Sequence, residues 1–402
     1  MKRLFISLIL ISSAFASWFS SPEPQGTLKP ATIKILLKKH CDGALIEAKG
    51  SYEVINPQDN KHLSSGWKGK RFFLYPHAKG IKWGEDFPGI YQLRIIPKSP
   101  ETTFLVDGIQ YRGCLEIYHI DGAIQVINEI DVENYLKSTL TAQFAEQNLR
   151  PEVMDALSIA ARTNAYHTIM RSINAFWHVD AASCNYNGYG ITLQNLNIDR
   201  SVDATRYLVM SYEGRPFPAT WTKNCAGKTG SFRDIFRKNI ACPKGVKTPY
   251  AAKVRDEHTW AYKFPKEKLA HIAKTNRVTD IDLFVDETSG KTYALRIKDG
   301  SHESNIDFFA FQEALGTNNI KSNDFTVKIE GNDVTIQGFG EGVGSGLCIF
   351  SAAQMAEKGD MAPEILASFF PFTHLQQQQV IPTRNSIYEE HHVIEDETDN
   401  SD

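Results

Sequence analysis

Two glycine-bearing stretches hold the residues whose spacing most invites chemistry. "GFGEGVGSGLC" sets Gly338, Gly340, Gly342, Gly344 and Gly346 at alternate positions, and "CAGKTG" places Gly227, Lys228 and Thr229 in the order that ends a phosphate-binding loop. Neither completes such a site. A dinucleotide fingerprint needs GxGxxG at the opening of a helix, and Ser345 stands where the third glycine belongs after Gly340 and Gly342. A P-loop of the GxxxxGKT type would need its first glycine where Thr222 stands. The glycines therefore report backbone geometry. In an extended strand they leave one face bare for close approach, and otherwise they let the chain bend sharply.

Other chemistries are narrowed by composition. The six cysteines, Cys41, Cys114, Cys184, Cys225, Cys242 and Cys348, show no CxxC or HxxxC spacing, so neither a metal site nor another cofactor is expected. In an oxidising compartment they allow one to three disulfides of open pairing, and buried free thiols are the alternative. A net charge of -3 gives no basic field, and no zinc-finger or RNA-recognition signature is present, which argues against nucleic acid.

The elements that must position these residues follow a leader. "MKRLFISLILISSAFASW" has Lys2 and Arg3, an apolar run, and Ala14-Phe15-Ala16 as a cleavage signal, so residues 1–16 read as a secretory signal peptide. The expectation is export across the inner membrane to the periplasm or cell envelope, with no membrane span in the mature protein. Residues 17–30 read as a linker. From 31 to 130 short β-branched and aromatic runs such as "TIKILL", "RFFLY" and "AIQVINEI" alternate with turns and predict a β-rich lobe. Past Val132 the apolar spacing becomes three to four, and two helices are predicted, the second opening on Pro151. A helix over 199–209, a hairpin turning at Glu213-Gly214, and a β-rich portion over about 280–338 follow. The glycine run then leads into the helix "SAAQMAEKGD" with Gly359 as its cap. Residues 374–402 are Gln-rich and then acidic, and are expected to be a disordered tail. The fold class is α+β: a β-rich N-terminal lobe, a central helical segment with mixed strands, and a β-rich C-terminal part ending in the glycine-rich loop and a helix.

Four stretches in this order carry a resemblance: "VINEIDVENYLKSTLTAQF", "ALSIAARTNAY", "ATWTKNCAGKTG" with the later "PYAAKVRD", and "GFGEGVGSGLCIFSAAQMAEKG". Together, over residues 110 to 372 and within a family core at 131–373, they resemble the stage II sporulation protein D and amidase enhancer family of peptidoglycan-remodelling proteins. The resemblance implies lytic transglycosylase chemistry on glycan strands stripped of their stem peptides. It also implies, as the alternative, a non-catalytic strand binder that recruits or enhances an N-acetylmuramoyl-alanine amidase.

The family's catalytic acid falls on Gln143, eight residues after Tyr135. Glu146 is the carboxylate expected to replace it, on the same helical face if the helix continues; Glu152 is a further carboxylate, and both also read as solvated helix-end charges. The histidine and glutamine of the family's glycine signature fall on Val343 and Ile349. Where some members carry a Cys/His metal cluster, only Cys184 is present here. The resemblance assigns substrate binding to Arg162, Thr163, Gly227, Lys228, Thr229, Gly342, Gly344 and Gly346. Arg162 and Lys228 would hold hydroxyls or the lactyl carboxylate of muramic acid, with an internal ion pair, to Asp155 or Asp234, as the structural alternative. Trp177, Tyr186, Tyr189 and Trp221 lie near these motifs as stacking or core residues.

Overall fold

The computed structural model of the chain describes residues 31–77 and 79–378. The expected leader, the linker and the tail beyond 378 lie outside these residues. The architecture is mixed α+β, with the strands of the first hundred described residues giving way to helices at Val132.

The N-terminal lobe consists of two sheets. Ala44–Lys49 and Tyr52–Asn56 each bury every second residue, the outcome of apolar and polar side chains alternating along a strand with one covered face. The seven-stranded sheet runs Val179–Asp180, Thr32–Cys41, Ala123–Asp131, Cys114–Ile120, Gln92–Pro97, Tyr52–Asn56, Lys61–Gly66. The six-stranded sheet runs Ile109–Tyr111, Thr103–Val106, Ala44–Lys49, Lys70–His77, Gly80–Trp83, Glu85–Pro88. Ile35, Leu93 and Ile117 of the first share a core with Ile46, Leu74 and Phe104 of the second. Trp83, fully buried there, donates its indole N–H to the Ile46 carbonyl at 3.2 Å.

This core does not stop at the lobe boundary. Strand Ala123–Asp131 runs directly into α1 (Val132–Phe144), and Leu136 and Leu140 of that helix belong to the same apolar cluster as Ile124 and Val126. Asp131 caps α1 by accepting from the Asn134 backbone N–H at 3.0 Å. α2 (Pro151–Arg171) opens on a proline at its first turn, where a missing N–H costs nothing. The helix expected over 199–209 spans Leu196–Ala204 instead. Asn195 caps it early, accepting from Asn197 and Ile198 N–H, and Tyr207 takes a left-handed φ of 65° that releases Leu208–Ser211 into a strand. The turn at Glu213 and Gly214 is present, both residues having positive φ.

A second apolar core lies within the span assigned to a single family core. The sheet of Thr259–Pro265, Asp333–Phe339 and Phe325–Glu330, the sheet of Asp280–Val285, Thr292–Lys298 and Glu303–Asp307, and helices Lys266–Ala273 and Phe308–Leu315 enclose Trp260, Phe264, Phe308, Phe311 and Ile336. Residues 131–373 thus carry two cores, and the β-rich portion begins at Thr259 instead of about 280.

The start of the tail also differs from expectation. His374–Gln377 form a strand antiparallel to Leu208–Ser211, and the Tyr166 hydroxyl donates to the Gln378 carbonyl at 2.7 Å. Among the described residues Leu208–Ser211 has no other sheet partner, and backbone pairing fills its edge whatever the side chains, so the glutamines do not prevent order. Among the described residues, no helix is long and apolar enough to cross a membrane.

Candidate functional site

The glycine run is a bent loop, not a strand with a bare face. Only Gly338 lies in a strand; Gly340, Gly342, Gly344 and Gly346 have φ of 72°, 99°, 59° and 74°. What approaches them is the chain itself. A Cβ on Gly340 would sit 2.3 Å from the Asn224 carbonyl oxygen, one on Gly342 2.4 Å from Thr222 Oγ1, and one on Gly346 2.0 Å from the Thr220 carbonyl oxygen. Residues 220–226 and 340–348 interlock through reciprocal Asn224 and Glu341 backbone hydrogen bonds at 2.9 Å, Leu347 N–H to Thr220 O at 3.0 Å, and the parallel pairing of Trp221–Thr222 with Leu347–Cys348. The other glycine motif joins the same framework: Gly230 N–H donates to Gly344 O, and Thr229, buried, donates its backbone N–H to Val246 O and accepts from Val246 N–H at its hydroxyl. Gly227 has φ of 109° and its carbonyl accepts from Thr248. Lys228 is the exposed member of that motif.

A buried charge cluster fastens the interlock from below. Lys291, 1% exposed, donates from Nζ to Cys225 O at 2.6 Å and to Asp324 at 2.7 Å. Arg255 grips Asp324 with both terminal nitrogens and reaches Ala226 O at 2.7 Å. Gly344 is part of this packing, since a Cβ there would lie 2.7 Å from Lys291 Cε. Burial pushes the Asp324 carboxyl up, but the Arg255 hydrogen bonds and the Lys291 charge outweigh it and hold the group below its ordinary range. A folded-state value below the unfolded one contributes stability above the unfolded value, and this is lost as pH falls through the folded one. Asp324→Asn is therefore expected to be less stable than the natural protein at neutral pH and to lose less stability than it below about pH 4. Urea midpoints measured from pH 7 to 3 check this; parallel curves would contradict it.

Arg162 and Thr163 lie elsewhere. Arg162 on α2 is fully buried, and its guanidinium meets Glu133 in a two-pronged pair, Nε to Oε1 at 2.9 Å and Nη2 to Oε2 at 2.7 Å. Its remaining N–H groups go to Thr205 Oγ1, Leu208 O and Val202 O. All five donors are spent inside the protein, which leaves none for a sugar, and the ion-pair partner is Glu133 rather than Asp155 or Asp234. Thr163 donates to Ile159 O and accepts from Met210 N–H, holding strand Leu208–Ser211 to α2.

Gln143 and Glu146 do not share a helical face. α1 ends at Phe144, and Glu146 sits exposed in the turn that follows. It lines an open cavity of about 540 Å³ together with Arg150, Met154, Asn195, Asn197 and Arg200. Gln143 is half-buried in the last turn of α1. The link between this cavity and the glycine loop is Phe144, which lines the cavity and packs on Trp221 with ring centroids 6.2 Å apart. The glycine loop carries a carboxylate of its own that sequence reading passed over: Glu341, ion-paired with Lys223 at 2.6 Å, both half-exposed. The position became visible only once residues 220–226 were seen beside the loop.

Tyr186 is a core residue donating to Asn128, and Tyr189 lies under the Arg112 guanidinium at 3.8 Å. Trp177 packs against Leu36, Tyr118 and Ile127. Val343 and Ile349, which replace the histidine and glutamine of the family pattern, pack on the second and first core. Among the described residues, no three His, Cys, Asp or Glu side chains gather as metal ligands.

Comparison with known proteins decides the lineage. The model of the Stage II sporulation protein family matches residues 120–212, the span that holds α1, α2 and strand Leu208–Ser211. An uncharacterized protein of Chlamydia pneumoniae is 36% identical over 188 residues, covering 46% of this chain and 68% of its own. Stage II sporulation protein D of Bacillus subtilis is 22% identical over 275 residues, covering 63% of this chain and 77% of its own. The chain belongs to the stage II sporulation protein D family. An uncharacterized protein of Brachyspira hyodysenteriae extends the similarity to 81% of this chain at 26% identity, beyond the residues that the family model matches. The stage II sporulation protein D family is associated with peptidoglycan remodelling at the cell envelope.

Proposed function

We propose that this protein binds peptidoglycan glycan strands stripped of their stem peptides and holds them without cleaving them, acting by recruiting or stimulating an N-acetylmuramoyl-alanine amidase. The observation that carries this reading is the amide of Gln143 at the position of the family's acid. Lytic transglycosylation needs one carboxyl group to protonate the leaving glycosidic oxygen and then to take the proton of the muramic 6-hydroxyl as it closes the anhydro ring. A carboxamide keeps the shape and hydrogen bonds of that group but transfers no proton, and losing general acid-base catalysis removes a factor of about 10²–10⁴. Glu146, the other carboxylate near this position, is exposed two residues past the end of α1 and not on the helix that carries Gln143.

A second reading has its own observation. Glu146 lines a cavity with two arginines and three asparagines, a donor set suited to sugar hydroxyls, and would make the protein a lyase whose acid has moved. Sedimentation with peptide-stripped strands tests binding, and mass spectrometry of the products for 1,6-anhydro-muramyl ends separates the readings. Binding without anhydro ends is expected. Absence of binding would remove both readings, and anhydro ends abolished by Glu146→Gln would establish the second.

A further inference from the structure

Two of the six cysteines meet where the glycine loop closes on residues 220–226. The Cys225 backbone N–H donates to Cys348 Sγ at 3.3 Å across 123 residues of sequence. Both thiols are buried, at 1% and 0% exposure. Cys225 Sγ also lies 2.9 Å from Thr248 Oγ1. Among the described residues, no other two cysteines are hydrogen-bonded to each other. Cys41 donates to Ile124 O, and Cys184 to Asp180 O.

Their placement is suited to sulfur chemistry. Cys348 is the cap residue of helix Ile349–Glu357, where unpaired N–H groups and the helix dipole favour a thiolate. Hydrogen bonding from Cys225 holds the Cys348 thiol below its ordinary range, against the burial that would raise it. Cys225 lies three residues past Thr222, itself paired in register with Cys348, so no long-range movement is needed to bring the sulfurs together.

We propose that Cys225 and Cys348 are joined by a disulfide in the exported protein, a covalent tie between residues 220–226 and the base of the glycine loop. The oxidant is a disulfide, either that of a thiol-oxidising protein or of a small thiol, meeting the chain before these segments close over the sulfurs. Cys348 thiolate attacks one sulfur of that disulfide, whose S–S bond breaks, and the departing thiolate takes up a proton. Cys225, its proton passed to water, then attacks Cys348 Sγ; the mixed disulfide breaks and the second thiolate leaves and is protonated. The protein gives up two electrons and two protons, and the oxidant ends as two thiols. A cross-link closing a loop of this length restricts the unfolded chain strongly, so its effect falls on stability.

The test uses the full chain after its leader, refolded in a buffer of reduced and oxidised glutathione, then denatured, alkylated without reductant, and digested. A peptide pair joining Cys225 to Cys348 and lost on reduction is expected. Dithiothreitol is expected to lower the melting temperature of the natural protein by several degrees and to leave Cys225→Ser/Cys348→Ser unchanged. Alkylation of both residues without prior reduction, or their cross-linking to other cysteines, would overturn the proposal. Should the double variant fail to fold, the peptide map of the natural protein still decides.

Discussion

Arg162→Ala is expected to lose about 3–5 kcal/mol of folding stability, because removing one member of a buried ion pair strands the other charge. The stranded group is Glu133, whose carboxylate lies under α2 with only 6% of the residue exposed. The loss also frees the carbonyls of Leu208 and Val202 and the Thr205 hydroxyl, which tie α2 to the following helix and strand. Replacing both partners by apolar side chains of similar volume, Arg162→Met with Glu133→Leu, is expected to cost less than the sum of the single changes, since no charge is then left unpaired. Urea unfolding of Arg162→Ala, of Arg162→Met, of Glu133→Leu and of the double variant measures this. A folded Arg162→Ala with an unchanged midpoint and lost strand binding would return Arg162 to the ligand role that the family resemblance implies.

Gly346→Ala is the second large effect. A side chain there must adopt φ near 74°, a left-handed conformation that costs an L residue about 1–2 kcal/mol. It must also place Cβ 2.0 Å from the Thr220 carbonyl oxygen, a backbone atom held by its own hydrogen bond to Leu347 N–H. Forcing the segments apart adds about 1–3 kcal/mol, the usual cost of overpacking. Gly359→Ala is the matched control, with φ of 99° and no atom within 4 Å of the added Cβ, so it carries the conformational cost alone. The Gly346 variant is therefore expected to unfold at clearly lower urea than the Gly359 variant. Equal midpoints would show that the loop yields, and would reopen a ligand-facing role for its bare backbone.

These two residues also show where the amino-acid sequence is legible and where it is not. Strands such as Ala44–Lys49 and helices α1 and α2 were readable because each has a period set by one covered face, and that signal is local. The role of Arg162 was not, because its partner Glu133 is 29 positions away and either an interior or a ligand role fits an arginine on a helix. The alternation of Gly338 to Gly346 suggests an extended strand, yet four of those glycines serve left-handed turns whose need arises from Thr220, Thr222, Asn224 and Lys291, distant in the chain. The helix does not continue to Glu146: the Ala145 N–H still bonds back to Thr141, but the chain turns at Glu146, and propensity does not mark that exit. The strand His374–Gln377 carries a polar composition and is ordered by an open edge far back in the chain, which composition does not reveal. The second core, by contrast, was present as local patterns whose grouping needed the tertiary structure.

The central claim is that this member of the stage II sporulation protein D family binds stripped glycan strands and has lost proton transfer at Gln143. The most direct measurement incubates the natural protein and Gln143→Glu with peptide-stripped strands and counts 1,6-anhydro-muramyl ends by mass spectrometry. The expected result is strand binding by both, no anhydro ends from the natural protein, and their appearance with Gln143→Glu, a gain on the order of 10²-fold or more over the unsubstituted background. Anhydro ends produced by the natural protein and abolished by Glu146→Gln would contradict it.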